Sequence, residues 1–423
     1  MTTPLESTTK DALQLANQLA AKGDFAGCLS VCAGIEAESQ QCAVTQQNLG
    51  SLYAAYGYLT QARACYDRAR ALQPNDLGIV ANIANLSRDA GFHAEARQLY
   101  AELLRHLPNH PVVRRNALVS MEYDPDVADA ERFAQASAWG QWAIERAGGM
   151  RPRPAMQPLQ DRPLRVGYVS ADFCQHTVGL FVKDVLEAHD KNRIQVFAYS
   201  AGTVQDWVTK EIRAASVLRD VSGLDDAALA AQIRADGIDV LVDLSGHTAG
   251  SRLTAFAHRP APVMVSWLGY FATTGLPYMD AVLLDEWHAP AGTEAQFVEP
   301  IVRLDRGRFC YQPVPWAPVQ VAPPAFQRNG FITFGSFNNT AKLNDSVFNL
   351  WARVLHAVPE ARLILKWRTF NDGAFRQQVT DAFVGRGIAA DRIELRGPSF
   401  HADLLKEYAD VDIALDPFPF TGG

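Results

Sequence analysis

Cysteine is scarce in this chain of 423 residues: six are scattered along it (Cys28, Cys32, Cys42, Cys65, Cys174 and Cys310) with no CxxC pair, and they read as reduced thiols. An excess of positive charge is also lacking. The net charge of -7 gives no general attraction for nucleic acid or anionic lipid, so neither a nucleic acid nor a membrane is expected as partner. No apolar run reaches a spanning length, and the N-terminal stretch has neither a basic start nor an unbroken apolar segment; the chain reads as cytoplasmic. Two phosphate fingerprints are missing as well. No GxGxxG follows the first strand candidate and no GxxxxGK[ST] occurs, which argues against a dehydrogenase or a P-loop NTPase. What is present suffices to fold: 48% hydrophobic and 20% charged residues, over a length that predicts two or three domains.

A repeat opens the chain. Gly23, Gly57 and Gly91 are spaced by 34 residues, as are Ala62 and Ala96, Tyr66 and Tyr100, and Pro74 and Pro108. That is the tetratricopeptide period, in which each helical pair buries its faces against the next and the array coils into a superhelix. Two repeats are clear, residues 10–38 form a degenerate first unit, and a further helical pair is expected over 111–147. Asn48, Asn82 and Asn116 share the same spacing on the first helix of each unit, at a position expected to face the concave groove. An amide donates and accepts, so such a ladder could grip the backbone of an extended peptide; solvated or internally bonded amides are the alternative.

Residues 148–163, with four prolines after Met150, mark a linker. Beyond it "LRVGYVS", "IQVFAYS", "IDVLVDLS", "PVMVSWLG" and "DAVLLD" alternate with helical patterns, and after a Pro-rich hinge the alternation restarts with "GFITFGSF", "ARLILKW", "DRIELRG" and "VDIALD". Each half predicts a parallel sheet covered by helices, and two such domains leave a cleft. The expected fold class is α + α/β, with a helical repeat domain over 1–150, a first α/β domain over 151–322 and a second over 323–423.

Open parallel sheets bind ligands beyond the carboxyl ends of their strands, so the loops there carry the candidates. Asp172 and His176 lie between the first strand and the helix of "VGLFVKDVLEAH"; His176 is either a base working near neutral pH or a helix-start residue. Asp243 and His247 in "VDLSGHTAGSRL" repeat that placement. "WLGYFATTGLPYMD" supplies Thr273, Thr274 and Gly275, able to hydrogen-bond a sugar or phosphate or to form a turn. Lys342, just before a helix capped by Asn344 or Asp345, suits a diphosphate, with an exposed helix-start lysine as the alternative. Asp410 and Asp412 resemble a metal-holding DxD, but the alternation carries Asp412 into a strand and no ligand cluster supports it; no metal is expected.

The repeats followed by "GYVSADFCQHTVG", "DLSGHTAGSRLTAFAHRPAPVMVSWLGY", "FGSFNNTAKL" and "ADVDIALDPFPFTGG" closely resemble the bacterial O-linked N-acetylglucosamine transferase family, over nearly the whole chain. The resemblance implies two Rossmann-like domains of the glycosyltransferase B type behind a tetratricopeptide superhelix. It implies inverting, metal-independent transfer from UDP-N-acetylglucosamine, with no cofactor, to Ser or Thr of polypeptides presented by the repeats. His176 then matches the family's active-site histidine and Lys342 the lysine on the donor diphosphate; Asp243 and His247 are further catalytic candidates, and His176, Asp243 and the donor's own phosphate are the candidate bases. Asn339, Thr421, Gly422 and Gly423 fall in the donor-binding segments.

Departures are visible. The loop reads "QHTVG" where many members have a proline after the histidine, Phe271 stands where a proline is usual, and Asn339 where some members have glutamine. The family continues past "PFPFTGG" with a threonine-rich segment and a helix, so the chain is expected to be truncated, with an incomplete second domain and weak or no activity. A UDP-hexose-dependent protein N-glucosyltransferase and a repeat scaffold with an inactive transferase module are the alternative functions.

Overall fold

Each of the three glycines spaced by 34 residues closes a helical hairpin. The computed structural model describes residues 4–159, 162–319 and 322–422. Among these, eight α-helices precede the first strand: α1 (Pro4–Ala21), α2 (Phe25–Glu38), α3 (Ala43–Ala55), α4 (Leu59–Leu72), α5 (Leu77–Asp89), α6 (His93–His106), α7 (Pro111–Tyr123) and α8 (Asp129–Arg146). Gly23, Gly57 and Gly91 turn between the paired helices with φ of 82°, 86° and 83°, a conformation that costs a Cβ-bearing residue about 1–2 kcal/mol. No helix of the described residues is long and apolar enough to cross a membrane.

The chain divides into two compact units, one formed by Met1–Val113, Tyr123–Pro125 and Trp316–Gly423, the other by Arg114–Glu122 and Asp126–Pro315. In the second unit seven parallel strands, β1 (Leu164–Ser170), β2 (Ile194–Ser200), β3 (Val217–Asp220), β4 (Val240–Asp243), β5 (Val263–Trp267), β6 (Ala281–Leu284) and β7 (Ile301–Arg303), run in the order β3-β2-β1-β4-β5-β6-β7. The order reverses between β1 and β4, which pair from Val166↔Val240 to Val169↔Asp243. Helices α9 (Thr177–Ala188) and α10 (Trp207–Ala215) place Val178, Val182, Leu186, Val208 and Ile212 in a core with Val166, Tyr168 and Val242. A separate core contains Leu229 and Ile233 of α11 (Asp226–Ala235), together with Trp139, Trp142 and Ile144 of α8 and Tyr199 and Leu241 of the sheet. The last expected helix of the repeat segment therefore packs as a cover of the first sheet. Its two tryptophans bury more apolar area there than a solvated array end would.

The first unit joins α1–α6 to a four-stranded parallel sheet. Helix α12 (Leu253–Phe256) lies in the second unit between β4 and β5; in the first unit, after α13 (Ala325–Asn329), β8 (Thr333–Ser336), α14 (Asp345–Ala357), β9 (Arg362–Lys366), α15 (Gly373–Val384), β10 (Ile393–Arg396), α16 (His401–Glu407) and β11 (Ile413–Ala414) follow in turn. The strand order β10-β9-β8-β11 reverses between β8 and β11. The repeat hairpins abut the loops of this sheet: a Cβ on Gly57 would stand 2.1 Å from the Arg368 carbonyl oxygen, and one on Gly91 2.8 Å from that of Leu343.

Candidate active site

Both reversals of strand order fall where the expected site residues lie. In a parallel sheet such a point leaves a crevice beyond the carboxyl ends, since neighbouring connections depart to opposite faces. In the second unit the loops after β1 and β4 meet there; in the first unit, the loops after β8 and β11.

His176 is the N-cap of α9. Its Nδ1 accepts from the Val178 N–H at 3.3 Å and lies 3.8 Å from Asp172 Oδ2, while the side chain stays about half exposed (51%). The loop before it is pinned from α10: Asp206 caps that helix and accepts from the Gln175 N–H, and Thr209 Oγ1 donates to the Phe173 carbonyl. Burial raises the Asp172 carboxyl, against the pull of the His176 ring. The ring thus caps the helix through one nitrogen and leaves the other, Nε2, outside that bond.

Asp243 ends β4, buried, and turns its oxygens inward. It accepts from the Gly246 N–H at 2.8 Å, the Ser245 N–H at 3.2 Å and Ser266 Oγ at 3.3 Å. Burial pushes its carboxyl up to about 6 although the two amides pull it back. His247 is buried as well, Nε2 2.9 Å from the Thr274 carbonyl and its ring 4.5 Å from that of Trp139, edge to face. Burial brings its imidazole down to about 4, so it is neutral at pH 7, with Nε2–H donating. Thr273 and Thr274 are buried too: Thr273 Oγ1 donates to Glu299 and accepts from Val298 and Gly275 amides, and Thr274 Oγ1 accepts from the Leu276 N–H. Gly275 lies against α8, where a Cβ on Gly140 would meet its carbonyl oxygen at 1.8 Å. In this structure the side chains of these four residues engage neighbouring groups of the protein itself.

In the first unit Lys342 ends the short 3-10 turn Thr340–Lys342. Its side chain is nearly buried, with Nζ donating to Asn338 Oδ1 at 3.2 Å and to the Thr421 carbonyl at 2.8 Å, 5.1 Å from the centre of the Phe420 ring. Burial lowers its ammonium, with Asp416 opposing. Asn339 caps the turn through the Ala341 N–H at 3.1 Å, Asn344 caps α14 and also donates to the Phe418 carbonyl at 2.7 Å, and the Gly422 N–H donates to Asp416 Oδ1 at 2.6 Å. Residues 416–422 thus fold onto the Lys342 loop. Gly423 lies outside the described residues. Asn338 and Asp416, which sequence reasoning passed over, complete this cluster; their only signal was proximity to Lys342 and to the glycine pair.

Asn48 is exposed on α3 and Asn82 half-buried on α5 in the first unit, and neither side chain is hydrogen-bonded among the described residues. Asn116 belongs to the second unit and accepts from Arg115 at 3.1 Å. Asp412 accepts from the Phe326 and Thr333 amides, and Asp410 pairs with Arg328 and Arg396, so both acids fasten β11 to its surroundings. Among the described residues no three His, Cys, Asp or Glu side chains converge as a metal site.

Comparison with known proteins bears on all of this. The family described as Glycosyl transferase family 41 matches residues 125–311. A solved structure, a lysine-to-methionine mutant of the O-GlcNAc transferase of Thermobaculum terrenum, is 34% identical and aligns over 100% of this chain and 80% of its own with a TM-score of 0.85. Two plant proteins named "Probable UDP-N-acetylglucosamine--peptide N-acetylglucosaminyltransferase SPINDLY", from Arabidopsis thaliana and Hordeum vulgare, are 38% and 37% identical over 73% of this chain. The match takes in 34% and 33% of those proteins, so the chain spans about a third of their length. With 34% identity and a shared fold over the whole of this chain and 80% of a solved member, and with residues 125–311 matching glycosyl transferase family 41, the chain belongs to the O-GlcNAc transferase family.

Proposed function

We propose that this protein transfers N-acetylglucosamine from UDP-N-acetylglucosamine to Ser or Thr hydroxyls of polypeptides, with inversion and without a metal, in the cytoplasm. In this reading residues 1–150 present the acceptor, Asn48, Asn82 and Asn116 holding its backbone, while 151–322 and 323–423 are the catalytic and donor-binding domains. The observation that carries the proposal is the Lys342 ammonium, fixed at the strand-order reversal by Asn338 and the Thr421 carbonyl. A cation held there in a poorly hydrated site stabilises a diphosphate as its bond to the sugar breaks, the task a divalent ion performs elsewhere. Asn339, Thr421 and Gly422 line the same loops and would contact the nucleotide.

His176 is the residue for the acceptor side. While Nδ1 accepts from the Val178 N–H, the neutral ring carries its proton on Nε2 and offers a donor. To take a proton at Nε2 the ring must adopt the other tautomer, with Nδ1–H directed to Asp172, 3.8 Å away. Asp243, His247, Thr273, Thr274 and Gly275 act as positioning residues in this scheme. The acceptor oxygen attacks the anomeric carbon opposite the diphosphate, the C–O bond to UDP breaks, and the hydroxyl proton leaves to the base.

The test is a donor panel with an acceptor polypeptide, read by mass spectrometry with the modified residue located. N-acetylglucosamine on Ser or Thr is expected. Hexose on asparagine would replace the proposal with the N-glucosyltransferase reading. Binding of the polypeptide with no transfer from any nucleotide sugar would leave a repeat scaffold.

A further inference from the structure

The Lys342 loop is built against the repeat array, and three contacts make the joint. Thr340 and Thr369, both buried, share a hydrogen bond of 2.8 Å between their hydroxyls, and Thr340 Oγ1 donates onward to the Asp89 carbonyl at 3.2 Å. Each hydroxyl has one proton, so the chain has a direction: Thr369 donates to Thr340, and Thr340 to Asp89. Asp89 is the last residue of α5, where helix carbonyls lack partners within the helix, so Thr340 caps a repeat helix from 251 positions away. Gly91 then brings the α5–α6 turn so close that a Cβ would sit 2.8 Å from the Leu343 carbonyl oxygen, and Arg368 reaches Asp89 at 3.9 Å.

We infer that the α5–α6 turn of the repeats, through Asp89 and Gly91, and Thr340 of the turn it meets, are positioning elements for the donor diphosphate: the repeat array sets where the Lys342 ammonium stands. Thr340 ends two residues before Lys342 and in the same 3-10 turn, so a shift of its hydroxyl rotates the turn that carries the lysine. The array has a second task in this scheme besides presenting an acceptor. The inference rests on the proposed role of Lys342 as a diphosphate ligand.

The experiment is calorimetric titration of UDP into the full chain and its Thr340→Val, Thr340→Ser, Gly91→Ala and Lys342→Ala variants, with hydrogen exchange of residues 338–344 measured on each without ligand. Thr340→Val keeps the shape and deletes both hydrogen bonds. It is expected to speed exchange of the loop and weaken UDP about tenfold, while Thr340→Ser, which keeps the hydroxyl, stays within about twofold. Gly91→Ala, which strains a turn touching no ligand, is expected to act in the same direction. Unchanged exchange in Thr340→Val overturns the inference whatever UDP does, as does faster exchange with unaltered UDP affinity while Lys342→Ala still weakens binding. Wild-type-like UDP binding by Lys342→Ala, or no binding by the unaltered chain, refutes the diphosphate reading itself and the inference with it.

Discussion

Asp372 caps two helices at once, and its removal should be felt in both. Its carboxylate accepts from the Ala374 and Phe375 amides of α15 at 2.9 and 3.1 Å, as an ordinary N-cap does. It also accepts from the Thr60 amide and from Thr60 Oγ1, at 3.1 Å, at the start of α4. Tyr58, the residue at the N-cap position of α4, has no side chain that can serve. Asp372 is 1% exposed, so water does not replace it. Asp372→Ala therefore forfeits two caps, about 1 kcal/mol each. It also strands buried donors for roughly another 1 kcal/mol, and a total of about 3 kcal/mol corresponds to roughly a hundredfold in an opening equilibrium. Native-state hydrogen exchange reads this locally, and the first turns of both α4 and α15 should lose protection while α11, in the other unit, keeps its own. Asp372→Asn, which keeps an acceptor, should recover a good part. Loss confined to α15 would refute the shared cap and with it the fastening of the repeats to the second sheet.

Asp243 and His247 should oppose one another in acid. The Asp243 carboxyl is raised to about 6 from 3.8, so its contribution is full below the lower value and is lost as pH rises through about 6; the His247 imidazole is lowered to about 4 from 6.5, so its contribution is full above 6.5 and is lost as pH falls through about 4. The two slopes largely cancel, and Asp243→Asn should unmask a stability that rises from pH 4 to 6.5 in urea titrations; a flat profile would contradict the burial assigned to His247. Gly140→Ala, worth about 1 kcal/mol of gain in a free helix, should instead cost about 1–3 kcal/mol by pushing on the Gly275 carbonyl, so the sign of the urea midpoint shift decides it. His176→Asn keeps an N-cap and should fold with unaltered stability, yet lower kcat by about 10²–10⁴ if the ring moves the proton; full activity would remove His176 from the reaction.

The period of 34 was legible because it is a covalent regularity: the same left-handed turn recurs at Gly23, Gly57 and Gly91, and glycine adopts it without strain. Strands β1, β2, β4, β5, β6 and β8–β11 stood out as apolar runs. The edge strands β3 and β7, of four and three partly exposed residues, carry too short a pattern to be seen. Reading the loops after strands picked out His176 and Lys342; that these loops stand at the two strand-order reversals comes from the structure alone, because strand order is not written in any local pattern. Thr273, Thr274 and Gly275 could be read as ligand groups or as a turn because their chemistry suits both, and only the burial of the threonines and the close approach of Gly140 show how their hydroxyls are used. The docking of α8 on the first sheet, and of the repeat hairpins on the second, left no local trace, since a helix that covers a sheet has the same apolar stripe as one that covers another helix. Asp372 and Thr340 were invisible for a related reason: their partners are 312 and 251 positions away.

The most direct measurement of the central claim is transfer of radiolabelled sugar from UDP-N-acetylglucosamine to an acceptor polypeptide in the presence of EDTA, comparing the full chain with Lys342→Ala. The account predicts label on Ser or Thr that persists in the chelator and falls at least about tenfold in the variant. Transfer abolished by EDTA, or transfer indifferent to Lys342→Ala, would contradict it.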